Sequence, residues 1–394
     1  MAGICALCLS AVSRNNQAAD PALALTLNPF NTEAGVNLVV DGLNADDRTD
    51  LTRLTRTARD IIAASRADAR GYSILGAIEE RAGKTEVAEA LYATALKHSK
   101  SELHALLRTA ELRLEQSDTA GALQNIDLLL RRWPDYWDRV QPVLLTVAAQ
   151  AETAPQLTAK LNEQPPWRSR AIAVLAKEPA ALGFLRTLIA SAPPQVRDQA
   201  NWTVERDGVV TALVSNKAYA EAYGLFLSTL TPEEAEVGGY VFDGGFSLPI
   251  GRSYFGWRVQ KPGATEIKLG ERGEGGATGL NVRFLDSPAR PGIVTQNLML
   301  PFGTYRLSVE AEARGLQAPK QLFWSVRCAD GVVLAELSVP TGSAPGTQLQ
   351  VDLEVPASGC ARQIISLDTM VRTESWRDRY QGEVRFSDLV ITRL

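Results

Sequence analysis

The spacing of apolar residues changes near Gly238-Gly239, and this change constrains the fold more than any other feature of the sequence. Before it, apolar residues recur three or four positions apart, as Leu51, Leu54 and Ala58 do, which is typical of amphipathic helices. After it, apolar and polar residues alternate between Gly and Pro turns, which is typical of half-buried strands. A chain of 394 residues is also too long for one ordinary core. The sequence therefore predicts a multidomain protein, α-helical first and β-stranded second.

Two helix-turn-helix units lie 34 residues apart between Ala69 and Pro134. Each has an aromatic or apolar pattern with small residues at fixed positions, the second ends at Pro134, and the first unit in particular resembles the tetratricopeptide repeat. The resemblance implies a tetratricopeptide-like α-solenoid over residues 19–236, in which neighbouring units stack and bury one another's apolar faces. The pattern is carried by Tyr72, Leu75, Gly76, Ala88, Tyr92 and Ala95 in the first unit and by Ala122, Ile126, Leu129 and Pro134 in the second.

The first helices of such units line a groove, and the resemblance implies that this groove binds a protein partner. The alternative is that the same residues form ordinary solvated helix faces. His98 and His104 are the two histidines of the sequence, and their spacing does not bring them to one helix face, so we expect neither a metal site nor a cofactor here. The groove candidates are Arg70, Ser73, Ala77, Glu80, His104, Leu107 and Glu111.

Roughly ten short alternating runs between residues 255 and 392 predict an antiparallel, jelly-roll-like β-sandwich over residues 238–394. The stretches 242–246 (FDGGF) and 386–391 (FSDLVI) resemble the opening and closing strands of carbohydrate-binding modules. In that superfamily two acidic residues near these positions often hold a structural calcium, which would implicate Asp243 and Asp388. Ser247 stands where a glutamate is expected, so we do not expect calcium.

Sugar binding requires flat aromatic faces together with groups that hydrogen-bond to hydroxyls. Trp257 and Trp324 also suit the core of a sandwich, which commonly buries tryptophan, and we favour that role for both. Trp376 lies in a polar stretch between strands and is the aromatic residue that we expect to be exposed. The glycan-binding candidates are Tyr254, Trp257, Arg258, Trp324, Arg327, Trp376, Arg377 and Tyr380.

Charge and motifs argue against several classes of function. A net charge of -4 gives no basic excess for nucleic acid. The sequence has no phosphate-binding Gly-Lys-Ser/Thr loop and no Gly-x-Ser-x-Gly, and its histidines lie outside the strand-rich half, so we expect no enzyme. A sugar-cleaving carboxylate pair is the enzymatic alternative, and it would be drawn from Glu266, Glu271, Glu274, Asp286, Glu336, Glu374 and Glu383.

The four cysteines bear on the compartment. Cys5 and Cys8 lie in an apolar stretch, and we interpret residues 1–18 as the remnant of an export or anchoring segment that lacks its basic start; the alternative is an apolar first helix turn. Such a segment would provide a membrane tether. Cys328 and Cys360 flank predicted strands and suit a disulfide, the alternative being two buried free thiols. The bond would place the chain in the periplasm, free or membrane-anchored, whereas free thiols would place it in the cytoplasm.

The order of these segments resembles bacterial envelope proteins linked to surface-polysaccharide production. We therefore expect a non-enzymatic scaffold or adaptor whose solenoid binds a protein partner and whose sandwich contacts glycan. One alternative is a structural scaffold that binds only protein. The other is a glycan-active enzyme.

Overall fold

The computed structural model describes residues 2–45, 50–251, 253–259, 263, 265–272, 276–371 and 377–394. Helices precede strands, which confirms the predicted fold class of α followed by β. The chain divides into two compact units, Met1–Ala171 and Ile172–Leu394. The last helices therefore belong to the same unit as the strands, and the change of periodicity near Gly238 lies inside the second unit.

Successive helices of the first unit pack on one another between residues 51 and 132. They are α1 Ala2–Asn16, α2 Pro21–Leu27, α3 Thr32–Asn44, α4 Leu51–Ala64, α5 Ala69–Arg81, α6 Thr85–His98, α7 Leu103–Glu115, α8 Thr119–Arg132, α9 Trp137–Ala149 and α10 Ala154–Asn162, with α11 Arg168–Leu175 crossing the division. Gly76 lies so close to the ring of buried Tyr92 that a Cβ there would meet it at 2.7 Å. The small and aromatic residues of the repeat pattern are thus packing partners, while the solenoid itself stays a prediction.

The apolar start of the chain is helical. In α1, Leu7 is 72% exposed, whereas Ser13 is buried and donates a hydrogen bond to the carbonyl of Ala24 at 2.7 Å. This contact ties the end of α1 to α2. The interpretation of residues 1–18 as a remnant export or anchoring segment stays a prediction.

No helix in the described part of the chain is long and apolar enough to cross a membrane.

The helices of the second unit share aromatic packing with the start of the sandwich. The ring of Phe226 lies 5.1 Å from that of Phe242 and 5.3 Å from that of Phe255, which also contacts Tyr223. These apolar rings form one continuous core between helix and loop. The helices are α12 Leu182–Ala190, α13 Pro194–Arg197, α14 Trp202–Ser215, α15 Tyr219–Ser228 and α16 Pro232–Glu236.

Two antiparallel sheets of five strands each make up the jelly-roll-like sandwich in the described residues, as predicted. Sheet A has the strand order β1-β4-β9-β6-β7, and sheet B has the order β2-β3-β10-β5-β8. The strands are β1 Arg258–Val259, β2 Thr265–Arg272, β3 Thr278–Pro288, β4 Val294–Leu298, β5 Gly303–Gln317, β6 Leu322–Cys328, β7 Val333–Ser338, β8 Gly342–Val355, β9 Gln363–Thr369 and β10 Arg379–Arg393.

The core between the sheets follows from the alternation of apolar residues. Trp324 on β6 is fully buried, and its ring contacts Trp257 from the opening loop and Phe386 on β10. A disulfide joins Cys328, at the end of β6, to Cys360, just before β9. This confirms the predicted bond, which indicates an oxidising compartment.

Candidate functional site

The aromatic residues considered for glycan binding lie in the interior. Trp257 and Trp324 are 4% and 0% exposed, in agreement with the core role that we favoured for them. Tyr254 and Tyr380 are also buried, and the hydroxyl of Tyr380 donates to the carbonyl of Gln321 at 3.0 Å. A buried ring offers no face for a pyranose. These residues therefore pack in the core and do not provide stacking surfaces for glycan. Trp376 lies outside the described residues.

Two of the three candidate arginines lie on the outer face of sheet A. Arg258 on β1 is exposed and Arg327 on β6 is half-buried. Arg377 is exposed just before β10, a strand of the other sheet. The structure therefore brings Arg258 and Arg327 to one surface and leaves Arg377 apart from it.

A row of polar side chains crosses all five strands of sheet A. Strand register places Arg258 opposite Thr295, Thr295 opposite Ser366, Ser366 opposite Ser325, and Ser325 opposite Glu336. Because side chains alternate between the two faces of a strand, these five residues lie on the outer face. The neighbouring row contains Asn297, Ile364 and Arg327. We call these eight residues together the polar face.

Asp368 lies on the same outer face as the polar face, two residues along β9 from Ser366, and is itself buried. Its carboxylate is 4% exposed and, among the described residues, accepts hydrogen bonds from four donors. These are Ser325 Oγ at 2.5 Å, Ser366 Oγ at 2.8 Å, Arg327 Nη1 at 3.0 Å and the amide of Gly292 at 2.7 Å. A buried carboxylate needs such partners to remain charged. Arg327 and both serines are therefore held in fixed orientations.

Sequence reasoning missed Asp368, Ser325 and Ser366. A signal was present, because Asp368 follows the stretch 364–367, which is apolar apart from Ser366, and a charged residue is rarely buried without a partner. The partner could not be read from the sequence, since Arg327 is 41 positions away. Strand pairing alone brings the two together.

The outer face of sheet B differs from the polar face in how its charged side chains are paired. Its charged side chains pair with one another at the surface, as Arg306 does with Asp352 at 2.7 Å and Arg314 with Glu312 at 2.7 Å. Exposed pairs of this kind contribute little to stability and are typical of a solvated face. The buried carboxylate of the sheet A face sets that surface apart.

Three of the carboxylates considered for sugar cleavage lie near one another, because the side-chain amide of Asn281 donates to both Glu271 and Glu383, and Lys268 pairs with both Glu266 and Glu271. Glu266, Glu271 and Glu383 lie on sheet B, where hydrogen bonds from Asn281 and Lys268 lower the pKa of Glu271. A general acid requires the opposite shift. Asp286 pairs with Arg379, Glu336 lies on the polar face, and Glu274 and Glu374 lie outside the described residues.

The carboxylate of Asp243 forms its hydrogen bonds within its own turn. It accepts from the amide of Ser247 at 2.7 Å, from the hydroxyl of Ser247 at 2.8 Å and from the amide of Leu248 at 3.0 Å. Burial raises the pKa of Asp243 in spite of these bonds. Asp388, the other residue considered for calcium, is exposed. In the described part of the chain no group of three or more His, Cys, Asp or Glu side chains could hold a metal ion.

A cavity of about 360 Å³ adjoins this turn. Arg206 at its wall is 1% exposed and makes two hydrogen bonds to Glu234 and one to Asp207. Arg206, Asp207 and Glu234 of the cavity wall are thus joined to one another. The remaining wall is mainly apolar and includes Leu248 and Ile250.

Four of the predicted groove residues form one polar network in the helical unit. The hydroxyl of Ser73 lies 3.1 Å from Nδ1 of His104, and Arg108 joins Glu80 to Glu111. Glu80 also accepts a hydrogen bond from the buried hydroxyl of Tyr92 at 2.7 Å. Tyr92 and Arg108 were not among the candidates. Arg70 pairs with Asp68 and Glu33, and Ala77 and Leu107 are half-buried.

The pKa values of this network follow its hydrogen bonds. Although burial alone would raise it, bonds from Arg108 and Tyr92 lower the pKa of Glu80. Loss of water around the imidazole lowers the pKa of His104, whose ring edge meets Tyr92 at 5.6 Å between centroids. Near neutral pH the network therefore holds a charged Glu80 and a neutral His104.

No protein-family model matches the chain, and no curated protein matches it. Solved structures match its C-terminal strands. A CBM4 carbohydrate-binding module is 12% identical over 39% of this chain and 99% of its own, with a TM-score of 0.30. The CBM22-1 xylan-binding domain of Paenibacillus barcinonensis Xyn10C is 13% identical over 38% of this chain and 90% of its own, with a TM-score of 0.27.

The CBM22-1 and GH10 modules of Clostridium thermocellum xylanase 10B, complexed with xylohexaose, are 19% identical over 36% of this chain and 26% of their own, with a TM-score of 0.26. The match thus spans about a quarter of that structure. TM-scores this far below 0.5 carry no conclusion about the family, ligand or activity of this chain.

Proposed function

We propose that the polar face of sheet A binds glycan and that the chain is a non-enzymatic adaptor. The observation that supports this most is the buried carboxylate of Asp368, which holds the partly exposed Arg327 in place together with Ser325 and Ser366, two serines that are themselves buried. Hydrogen-bonding groups that are already ordered lose little entropy when a ligand binds. Such a surface suits sugar hydroxyls, which require both donors and acceptors at defined positions.

The polar face supplies both kinds of contact. Arg327 and Asn297 bear donors, Glu336 bears acceptors, and Thr295 provides a hydroxyl that does either. Ile364 lies half-buried between Asn297 and Arg327 in the strand register and offers an apolar patch to the C–H surface of a sugar ring. Recognition in this mode depends on hydrogen bonds more than on aromatic stacking.

The adaptor role adds a protein partner at the network of Ser73, Glu80, His104 and Glu111. Arg108 bridges the two carboxylates there, and its guanidinium and Glu111 reach solvent. Ordered charged groups of this kind suit an extended peptide whose polar atoms pair with them. The disulfide indicates an oxidising compartment, for which we propose the periplasm, with surface-polysaccharide production as the process there.

The test is a glycan array followed by titration calorimetry on the full chain. Glu336→Ala and Arg327→Lys should weaken saturable glycan binding at least tenfold, because each removes hydrogen-bonding geometry from the face. The matched control is Glu354→Ala, an exposed glutamate on the outer strand β8 of sheet B, which should bind as the parent does. Absence of binding across diverse glycans would favour the alternative of a scaffold that binds only protein.

A second assay addresses the enzymatic alternative. The full chain is incubated with the glycans that it binds, and the release of reducing ends is measured. We expect none above buffer. Reducing ends released by the parent and not by Glu271→Gln would contradict the non-enzymatic proposal.

A further inference from the structure

Two arginines are packed against one buried tyrosine at the edge of the polar face. The guanidinium carbon of Arg258 lies 4.9 Å from the ring centroid of Tyr254, and Nη1 of Arg362 donates to the hydroxyl of the same tyrosine. Arg362 also lies over the ring of Tyr219, 5.2 Å from its centroid. Contact with aromatic faces favours cations and holds these long side chains in place. We call Arg258, Arg362 and Tyr254 the basic clamp.

The clamp lacks a balancing negative charge. In the described part of the chain neither Arg258 nor Arg362 forms an ion pair with a carboxylate, and Nε of Arg362 is buried without a hydrogen-bond partner. Arginines on the outer face of sheet B, such as Arg306 and Arg314, do have carboxylate partners. Two neighbouring cations repel each other, so an anion between them would be attracted from solution.

The clamp is continuous with the polar face. Arg258 is opposite Thr295 in the strand register, and the side-chain amide of Asn297 donates to the carbonyl of Tyr254 at 3.1 Å. Arg362 directly precedes β9, the strand that carries Ile364 at the middle of the face. Arg327 lies opposite Ile364 on the neighbouring strand, two residues and about 7 Å along β9 from Arg362. A chain-like ligand on the face would therefore meet the clamp at one end and Arg327 further along.

We propose that the glycan of the polar face is anionic and that the basic clamp binds its acidic groups, an inference that rests on the proposed glycan-binding function. The planar fork of a guanidinium matches the two oxygens of a carboxylate or sulfate. The ligand class is thus a polysaccharide with uronic acid or sulfate-ester groups. Neutral polysaccharides lack the group that the clamp recognises.

The experiment titrates the full chain with polygalacturonate, dextran sulfate, xylan and dextran, each at low and at 0.5 M salt. The expected result is saturable binding to an acidic polymer that weakens as salt increases, because exposed charges are screened. Arg258→Gln should raise the Kd about tenfold. Arg258 is exposed, so this variant keeps the core intact. Arg283→Gln, an exposed arginine on sheet B, is the matched control and should bind as the parent does.

The polymers and variants separate the outcomes. A preference for polygalacturonate or for dextran sulfate, lost in Arg258→Gln alone, supports the inference and identifies the acidic group. Equal losses in Arg258→Gln and Arg283→Gln would mean non-specific attraction to polyanions and would overturn it. Binding of xylan or dextran alone, unchanged by Arg258→Gln, would overturn the anionic ligand and leave the proposed glycan-binding function standing. If none of the four polymers nor any glycan of the array binds, both fail.

Discussion

At the scale of single residues, Asp368 shows how one buried charge orders a surface. The carboxylate itself is hidden from solvent, yet its partner Arg327 keeps about a third of its side chain exposed. The charge thus acts through the groups that it holds. It positions Arg327, whereas only the exposed groups of the face would contact a ligand.

Asp368→Asn tests this arrangement. The substitution removes the charge and turns an amide toward donors from Ser325, Ser366 and Gly292. Because those donors lose a charged acceptor, we expect the free energy of unfolding to fall by about 2 to 3 kcal/mol. Urea denaturation measures it. Asp352→Asn, in an exposed pair with Arg306, is the control and should leave the midpoint unchanged; equal effects of both variants would contradict the role of Asp368.

His104 gives a prediction about pH. Partial loss of water around the ring lowers its pKa in the folded protein although the residue stays exposed at the surface, and the neighbouring charges of Glu80, Glu102, Arg108 and Glu111 act on the same ring. As pH falls below about 6.5, the unfolded chain takes up the proton first. The contribution of neutral His104 is therefore present above that pH and is lost as pH falls through the folded pKa.

The measurement compares urea midpoints of the parent and His104→Gln from pH 8 to pH 5. The parent should lose stability relative to the variant over this range, since the variant has no proton to gain. The control variant His98→Gln retains His104 and should lose stability over this pH range as the parent does. Parallel pH profiles for the parent and His104→Gln would show that the pKa of His104 is not lowered in the folded chain.

At the scale of secondary-structure elements, the short helix α16 is stabilised by side-chain hydrogen bonds in addition to its own backbone hydrogen bonds. Thr231 and Glu234 form a capping box, in which each side chain bonds to the backbone of the other residue. Glu234 also receives two hydrogen bonds from buried Arg206 on α14. One glutamate thus caps α16 and neutralises a cation in the interior.

Glu234→Ala should therefore lower the stability of the fold far more than a substitution in a five-residue helix normally does. We expect the free energy of unfolding to fall by about 3 kcal/mol, because Arg206 stays buried with only Asp207 as its ion-pair partner. Chemical denaturation followed by tryptophan fluorescence measures the change. Glu233→Ala is the matched control, exposed and adjacent, and should have no effect; a small change for Glu234→Ala would mean that water replaces the pair.

The elements themselves were largely readable from the sequence, and the site was not. The spacing of Leu51, Leu54 and Ala58 predicted a helix that the structure has as α4, because a helix of this kind buries one face along its own length. Alternation predicted β5 and β9 for the same reason. Which tryptophan is exposed depends instead on distant partners: Trp257 Nε1 bonds to the carbonyl of Asp243, a contact that no local pattern reveals.

At the scale of the whole molecule, the disulfide should affect one unit and not the other. Cys328 and Cys360 are separated by 32 positions, both within Ile172–Leu394. Closing a loop of that size stabilises a fold by about 3 to 4 kcal/mol on the chain-entropy estimate. Cys328→Ser with Cys360→Ser should lower the melting transition of the second unit and leave that of the first unchanged.

Calorimetry of the double variant measures this, with hydrogen exchange assigning each transition to its unit. Cys8→Ser is the control, because that exposed cysteine is free and lies in the first unit. An equal decrease in both transitions would contradict the assignment. An unchanged second transition would show that the reduced chain is already constrained.

The loop closed by the disulfide contains β7 and β8, which are the outermost strands of sheets A and B respectively. An outermost strand leaves backbone groups unpaired along one side, where a strand from another molecule can add. The covalent bond therefore secures the segment that borders both sheets at once. We expect reduction to free these two edges and to promote pairing between copies of the chain before the fold is lost, which light scattering with and without reductant measures.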